Sequence, residues 1–170
     1  MRTYHISSIL AVALLGACSP TDQQDITIPV FAVDASQFRA APLHGDHEVP
    51  PNESQGTGSA TFSLSKDGTE IHYRLIVANI EDVTQSHIHI AAEGENGPVV
   101  VFLFGFVADG VTTNGVLAEG TFTQADLIAR PAIGFGATME ELLAAMRSGN
   151  AYVNVHTVVL PAGEIRNQIH

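Results

Sequence analysis

Apolar and polar residues alternate along most of this chain with a period of two, the pattern of β-strands that bury one face. In residues 61–65, Phe62 and Leu64 alternate with Thr61, Ser63 and Ser65. After Lys66-Asp67-Gly68, the residues Ile71, Tyr73, Leu75 and Val77 alternate with His72 and Arg74. Turn chemistry between two alternating runs predicts a β-hairpin. Residues 85–91 predict a further strand, in which His87 and His89 share one face while Ile88 and Ile90 take the other. A turn at 93–97 leads into the apolar run 98–107, which predicts a strand buried on both sides or along much of its length. Asp109-Gly110 and Asn114-Gly115 punctuate the connection to a strand at 116–123. Near the end, 152–159 and 162–169 predict two strands joined at Pro161-Ala162-Gly163. Parity places Tyr152, Asn154 and His156 together, opposite Val153 and Val155.

Two short stretches break this period. Thr123 with Asp126 predicts a capped helical turn that Pro131 ends, and Thr138-Met139-Glu140-Glu141 is a capping box. Leu142, Leu143 and Met146 then form an apolar stripe until Gly149, predicting a small amphipathic helix that closes one end of the core. Seven or eight short strands with turn signals every ten residues or so predict an all-β fold, a β-sandwich or Greek-key barrel. A parallel α/β sheet would require alternating helices, which the pattern does not contain.

The first eighteen residues follow another rule. Arg2 gives a positive start, residues 6–15 are apolar, and Leu15-Gly16-Ala17-Cys18 ends in small residues before a cysteine. This resembles a bacterial lipoprotein signal with a lipobox. The resemblance implies cleavage before Cys18, lipidation of its thiol and a membrane-anchored chain. The apolar run is too short to span a hydrocarbon core of ~30 Å comfortably. The chain therefore divides into a signal peptide at 1–17, a lipidated N-terminus and tether at 18–36, and a domain at 37–170. Ile26, Ile28 and Val30 alternate within the tether and offer an edge strand. Ser19, rather than Asp, follows the cysteine, which leaves outer-membrane delivery open. The expected location is the cell envelope, on the periplasmic side of the outer membrane or at the cell surface.

At 170 residues with 45% apolar content, the chain is long enough for one domain with a full core. Cys18 is the only cysteine, so the fold must be held by that core rather than by a disulfide. With 7 basic and 18 acidic residues the formal charge is −11, which makes nucleic acid an improbable partner. Such charge keeps an exported domain soluble and can concentrate cations. There is no Gly-x-Ser-x-Gly, no His-Glu-x-x-His and no phosphate loop. Glu93 and Glu95 lack the Asp-rich spacing of a calcium loop and read as a solvated turn.

Five blocks, in order, carry a resemblance. They are Glu48-Val49-Pro50-Pro51, His87-Ile88-His89, Gly97-Pro98-Val99-Val100-Val101, Tyr152-Val153-Asn154-Val155-His156-Thr157 and Gly163-Glu164-Ile165-Arg166. From about Phe38 to the C-terminus the chain resembles the CHRD domain, the module repeated in chordin and found singly in many microbial exported proteins. The resemblance implies an immunoglobulin-like or superoxide-dismutase-like β-sandwich and implies little about activity. Leu160-Pro161 and Asn167 depart from the family pattern, which puts a tight turn or close contact there in question.

His87, His89 and His156 are the candidate metal ligands, since two imidazoles from one strand and a third from another suit Zn or Cu(II). Glu48 and Glu164 are candidates for a fourth ligand or for orienting the histidines. The same histidines would equally fasten loops over the sheet by hydrogen bonds to carbonyls and carboxylates. His44, His47, His72 and His170 read as surface or terminal residues. Arg166 reads as structural, meeting a carboxylate from another strand, and Pro50 and Pro51 as stiffeners of an extended edge.

Three functions remain in view: a lipid-anchored binding module holding copper or zinc, a superoxide-dismutase-like copper oxidoreductase, and a metal-free protein-interaction domain with an envelope partner. With only three methionines, a Met-rich Cu(I) carrier is not expected. The residues favour a binding module over an enzyme, because no open copper position and no bridging-histidine zinc loop can be read from them.

Overall fold

The structure, a computed structural model, describes residues 37–170. Cys18, the signal segment, the tether and the edge strand expected at Ile26, Ile28 and Val30 lie outside the described residues. Eight strands run in chain order: β1 (Gln37–Leu43), β2 (Thr57–Leu64), β3 (Glu70–Ala78), β4 (Val83–Ile90), β5 (Val99–Phe104), β6 (Gly115–Thr123), β7 (Ala151–Thr157) and β8 (Ile165–Gln168). One sheet has the order β1-β2-β3-β6 and the other β5-β4-β7-β8, with antiparallel pairing throughout. The chain crosses between the sheets after β3, β5 and β6, the connectivity of a β-sandwich rather than of two independent meanders.

The hairpin expected from alternation is β2–β3, with Phe62 opposite Tyr73 and Ala60 opposite Leu75. Its turn is held by Asp67, whose Oδ1 accepts from the Ser65 hydroxyl (2.7 Å) and from the Thr69 N–H (3.1 Å). The helix α1 (Met139–Arg147) starts at the predicted capping box: Thr138 Oγ1 accepts from the Glu141 N–H, and Glu141 Oε2 accepts from the Thr138 N–H. Its stripe of Met139, Leu142, Leu143 and Met146 is buried and covers one end of the core. The helical turn at Gln124–Asp126 carries its own capping box, from Thr123 and Asp126. Among the described residues no helix is long and apolar enough to cross a membrane.

The core lies between the sheets, where Phe62, Ile71, Leu75 and Val77 meet Ile88, Val153, Val155 and Ile165. One side of the sandwich is sewn shut. Arg39 and His170 exchange N–H···O bonds (2.8 and 2.9 Å), and His44 and Arg166 do the same (3.1 and 3.0 Å), so β1 meets β8. On the other side the Tyr73 hydroxyl donates across to Leu103 O (2.7 Å).

One expectation holds in part and another fails, both on tertiary grounds. The run 98–107 is a strand over Val99–Phe104, with Val100, Val101 and Leu103 buried, but β5 is the edge of its sheet, and Phe102 (51%) and, beyond the strand, Phe106 (70%) are exposed. Pro98 brings no N–H to a ladder, and two register shifts against β4 turn Phe102 outward. Pro50 and Pro51 do not stiffen a strand edge, because they lie in the connection between the turn Gly45–His47 and β2.

The β4–β7–β8 sheet positions the site. Its inner face is apolar, as period-two patterning requires, yet its outer face is buried too. In register, His87 lies beside Asn154 and then Arg166, and His89 beside Tyr152 and then Gln168. All six are buried, as is His156. Three connections cover them, those at 45–51, 92–98 and 158–163, tied down by the bonds described next.

Candidate metal centre

The strands bring His87, His89 and His156 together, with one ligating nitrogen from each within 4.8 Å of the others. Their ring centroids stand 4.9 Å apart for His87 and His156, 5.5 Å for His87 and His89, and 6.3 Å for His89 and His156. Alternation supplies His87 and His89, two residues apart on β4. The antiparallel β4–β7 register, in which His156 faces Gln85, supplies the third imidazole from the neighbouring strand.

Backbone carbonyls fix two of the rings. His89 Nδ1 donates to Gly97 O (2.8 Å), and His156 Nδ1 donates to Pro161 O (3.0 Å). A carbonyl only accepts, so each Nδ1 carries the proton and each Nε2 carries a lone pair. His87 Nδ1 lies 3.1 Å from His156 Nε2. His87 Nε2 and His89 Nε2 are buried without a hydrogen-bond partner. Burial holds all three imidazoles below the ordinary histidine pKa, His87 at about 3, with the charges of His156 and His89 adding to the effect, and His89 at about 4. Neutral imidazole is the form that ligates metal.

The rest of the face is a stack. The Tyr152 ring lies 4.7 Å from His89 and nearly parallel to it, and the Arg166 guanidinium carbon sits 3.4 Å from the Tyr152 centroid. Phe102 closes the other end, edge-on to His87 at 4.6 Å. Arg166, 1% exposed, does not meet a carboxylate as its position suggested. It donates to Glu95 O (2.8 Å), Asn96 Oδ1 (3.3 Å), Gln168 Oε1 (3.3 Å) and Ala92 O (3.5 Å). The fork thus straps the 92–97 loop over the site, and Asn96 Nδ2 passes the strap to Val49 O (2.7 Å).

Neither candidate carboxylate joins the three histidines. Glu164 spends both oxygens on hydroxyls, accepting from Ser54 Oγ (2.6 Å) and Thr157 Oγ1 (2.6 Å), and so pins the 52–56 segment to β7. Glu48 is buried against Gly163, with Oε1 unpartnered. Burial pushes its pKa up to about 7, against the pull of Arg166. His44, His47, His72 and His170 are exposed and stand apart from the cluster. The turn at Leu160-Pro161, where the chain departs from the family pattern, is tight: Leu160 O accepts from the Gly163 N–H (3.1 Å) while Pro161 O holds His156. Asn167 Nδ2 donates to Pro42 O (2.7 Å).

Sequence reasoning gave no role to Asn154, whose Oδ1 lies 3.0 Å from His156 Nε2. Its parity with His156 was the available signal. The carbonyls of Gly97 and Pro161 left none, because a backbone acceptor is independent of residue type.

Residues 39–169 match the CHRD domain family. The chain is also similar to chordin of Xenopus laevis, 32% identical over 138 residues, a match that covers 76% of this chain and 12% of chordin. The chain thus spans about one eighth of that relative's length, and the likeness concerns the module alone. With a match across nearly the whole described region, and with the five sequence blocks falling on the two-sheet sandwich and its covered histidine face, the chain belongs to the CHRD domain family.

Proposed function

We propose that the domain is a binding module of the cell envelope that holds one Zn(II) or Cu(II) ion through His87, His89 and His156. The observation that carries this reading is the orientation of the rings. Ligating histidines donate their second N–H to a carbonyl or carboxylate, and His89 and His156 do so to Gly97 O and Pro161 O while their Nε2 lone pairs stay on the cluster side. A purely structural role leaves the unpartnered Nε2 atoms of His87 and His89 as a net cost. The test is metal content by mass spectrometry after loading the purified chain with Zn(II) or Cu(II) and removing the excess. About one ion per chain, lost in a His87→Ala/His89→Ala variant that keeps its β circular dichroism, supports the reading. A folded wild type that retains no metal overturns it and turns attention to protein partners.

We also propose anchoring through a lipidated Cys18, on the sequence pattern at 15–18. A Cys18→Ser chain is then expected in the soluble fraction of the cell envelope. Unchanged partition into membranes would count against lipidation.

A further inference from the structure

We infer that Asn154 Oδ1 is the fourth donor of the centre, completing a closed, uncharged set of three imidazole nitrogens and one amide oxygen. This rests on the metal-binding reading above and extends it to the coordination sphere. Asn154 sits mid-strand on β7, buried, level with His87 on one side and Arg166 on the other. Its Oδ1 lies 3.0 Å from His156 Nε2. That nitrogen already has its proton on the far side of the ring, committed to Pro161 O. With the amide in this orientation, the Nε2 and Oδ1 lone pairs face each other, and the proton within reach of Nε2 is that of His87 Nδ1 at 3.1 Å; a cation in its place takes all three atoms as donors.

The spacing fits one ion. Metal–ligand bonds of about 2.0–2.1 Å at tetrahedral angles place neighbouring donors ~3.3 Å apart. His156 Nε2 lies 3.1 Å from His87 Nδ1 and 3.0 Å from Asn154 Oδ1, close to two edges of such a tetrahedron. His89 supplies the remaining corner from within 4.8 Å. The nearby carboxylates are not competitors, since neither Glu48 nor Glu164 belongs to the donor group and the Glu164 oxygens are turned to Ser54 and Thr157.

Four protein donors leave no position for water, which is the condition of a structural rather than a catalytic metal. The ion would clamp β4 to β7 and, through Gly97 O and Pro161 O, hold the two covering loops. Turnover at the metal, which needs an exchangeable site, is not expected.

The test is electron paramagnetic resonance of the Cu(II)-loaded chain in water enriched with oxygen-17, alongside visible absorption of the Co(II)-loaded chain. The expected wild-type result is no oxygen-17 broadening and an intense four-coordinate Co(II) spectrum. Asn154→Leu should admit a water, gaining the broadening, with at least ~10-fold weaker Zn(II) binding. Asn154→Asp should keep water out and bind Zn(II) more tightly, since the carboxylate adds charge to the same donor position. Broadening in the wild type, or an Asn154→Leu spectrum identical to the wild type, overturns the inference while leaving three-histidine binding intact. If Asn154→Leu does not fold, the wild-type broadening and the Asn154→Asp Co(II) spectrum decide alone. A metal-free wild type in the content assay instead overturns the binding reading, and this inference with it.

Discussion

Arg166 is where the covering of the histidine face is most exposed to experiment. Its guanidinium is buried, lies on Tyr152, and reaches four acceptors, of which only Glu95 O at 2.8 Å is short. No carboxylate lies within ion-pair distance among the described residues. A buried cation without a partner anion carries a desolvation cost of several kcal/mol, so the hydrogen bonds and the aromatic face must offset it. A charge-assisted bond contributes about 1.5–3 kcal/mol net, and a desolvated cation–π contact about 2 kcal/mol. In Arg166→Met the stem still packs on Tyr152 and the desolvation cost disappears. The Glu95 and Ala92 carbonyls belong to an exposed loop and can turn to water, while Gln168 Oε1 loses a donor. The balance is a loss of about 2–3 kcal/mol. Arg166→Lys keeps the charge and its desolvation cost but cannot span four acceptors from one planar fork, so its loss should be larger, about 4 kcal/mol.

Urea unfolding at pH 7 measures both, and amide hydrogen exchange at 93–97 reports whether the strap has opened. The informative result is the ranking, with Lys worse than Met. Arg166→Lys within ~0.5 kcal/mol of wild type would mean that charge alone suffices, and the fork argument would be wrong.

The other predictions concern the carboxylates and the turn beside them. The Glu48 pKa is raised in the folded state from 4.5 to about 7, so its contribution is fully present below pH 4.5 and is lost as pH rises through 7. Glu48→Gln should therefore match wild-type stability near pH 4 and exceed it by up to about 3 kcal/mol at pH 8, and an offset that does not change with pH in urea titrations would sink this. Glu164→Ala leaves the Ser54 and Thr157 hydroxyls without their acceptor and frees the 52–56 segment; about 2–4 kcal/mol of lost stability is expected, and under 1 kcal/mol would contradict the pinning role. Gly163→Ala forces a Cβ into Glu48 Oε1 at a φ of 138°, so thermal melting should fall by the equivalent of about 2–3 kcal/mol, and the Glu48→Ala background should relieve part of it.

Much of the fold was legible because period-two alternation is a local property of the backbone. Phe62 with Leu64 and Ile71 with Leu75 announce a hairpin with no knowledge of what covers it. The pairing of His87 with His89 was legible for the same reason, and the parity of Asn154 with His156 pointed to the right face. What failed were inferences from polarity to exposure. The run 98–107 reads as buried because it is apolar, and Val100, Val101 and Leu103 are, yet an edge position and two register shifts leave Phe102 half-exposed against His87. Polarity likewise says nothing of what covers the face of His87, His89, Asn154 and Arg166, where Gly97 O and Pro161 O, 8 and 5 residues from the histidines they hold, and Glu95 O, 71 residues from Arg166, supply the acceptors. Glu164 reads as a possible ligand in the sequence because nothing marks Ser54 and Thr157 as its partners until the turn brings them within 2.6 Å.

That covered face is also where folding alone gives the poorest account of the residues present. A sheet buried on both sides is most simply stabilised by apolar residues on both, as in parallel sheets. Here β4, β7 and β8 instead bury seven polar or aromatic-polar side chains on the outer side, each needing partners. Most are satisfied with some precision, Arg166 by four acceptors and His89 and His156 by one carbonyl each. The buried side-chain atoms left without a partner among the described residues are His87 Nε2, His89 Nε2 and Glu48 Oε1. Each such atom costs about 1–3 kcal/mol, a large fraction of the net stability of a domain. Two of the three belong to the histidine cluster, and the third is an acidic oxygen held by the same covering loops. A cost concentrated in this way on imidazoles that converge on one another is what the proposed metal-binding reading accounts for, and packing alone does not.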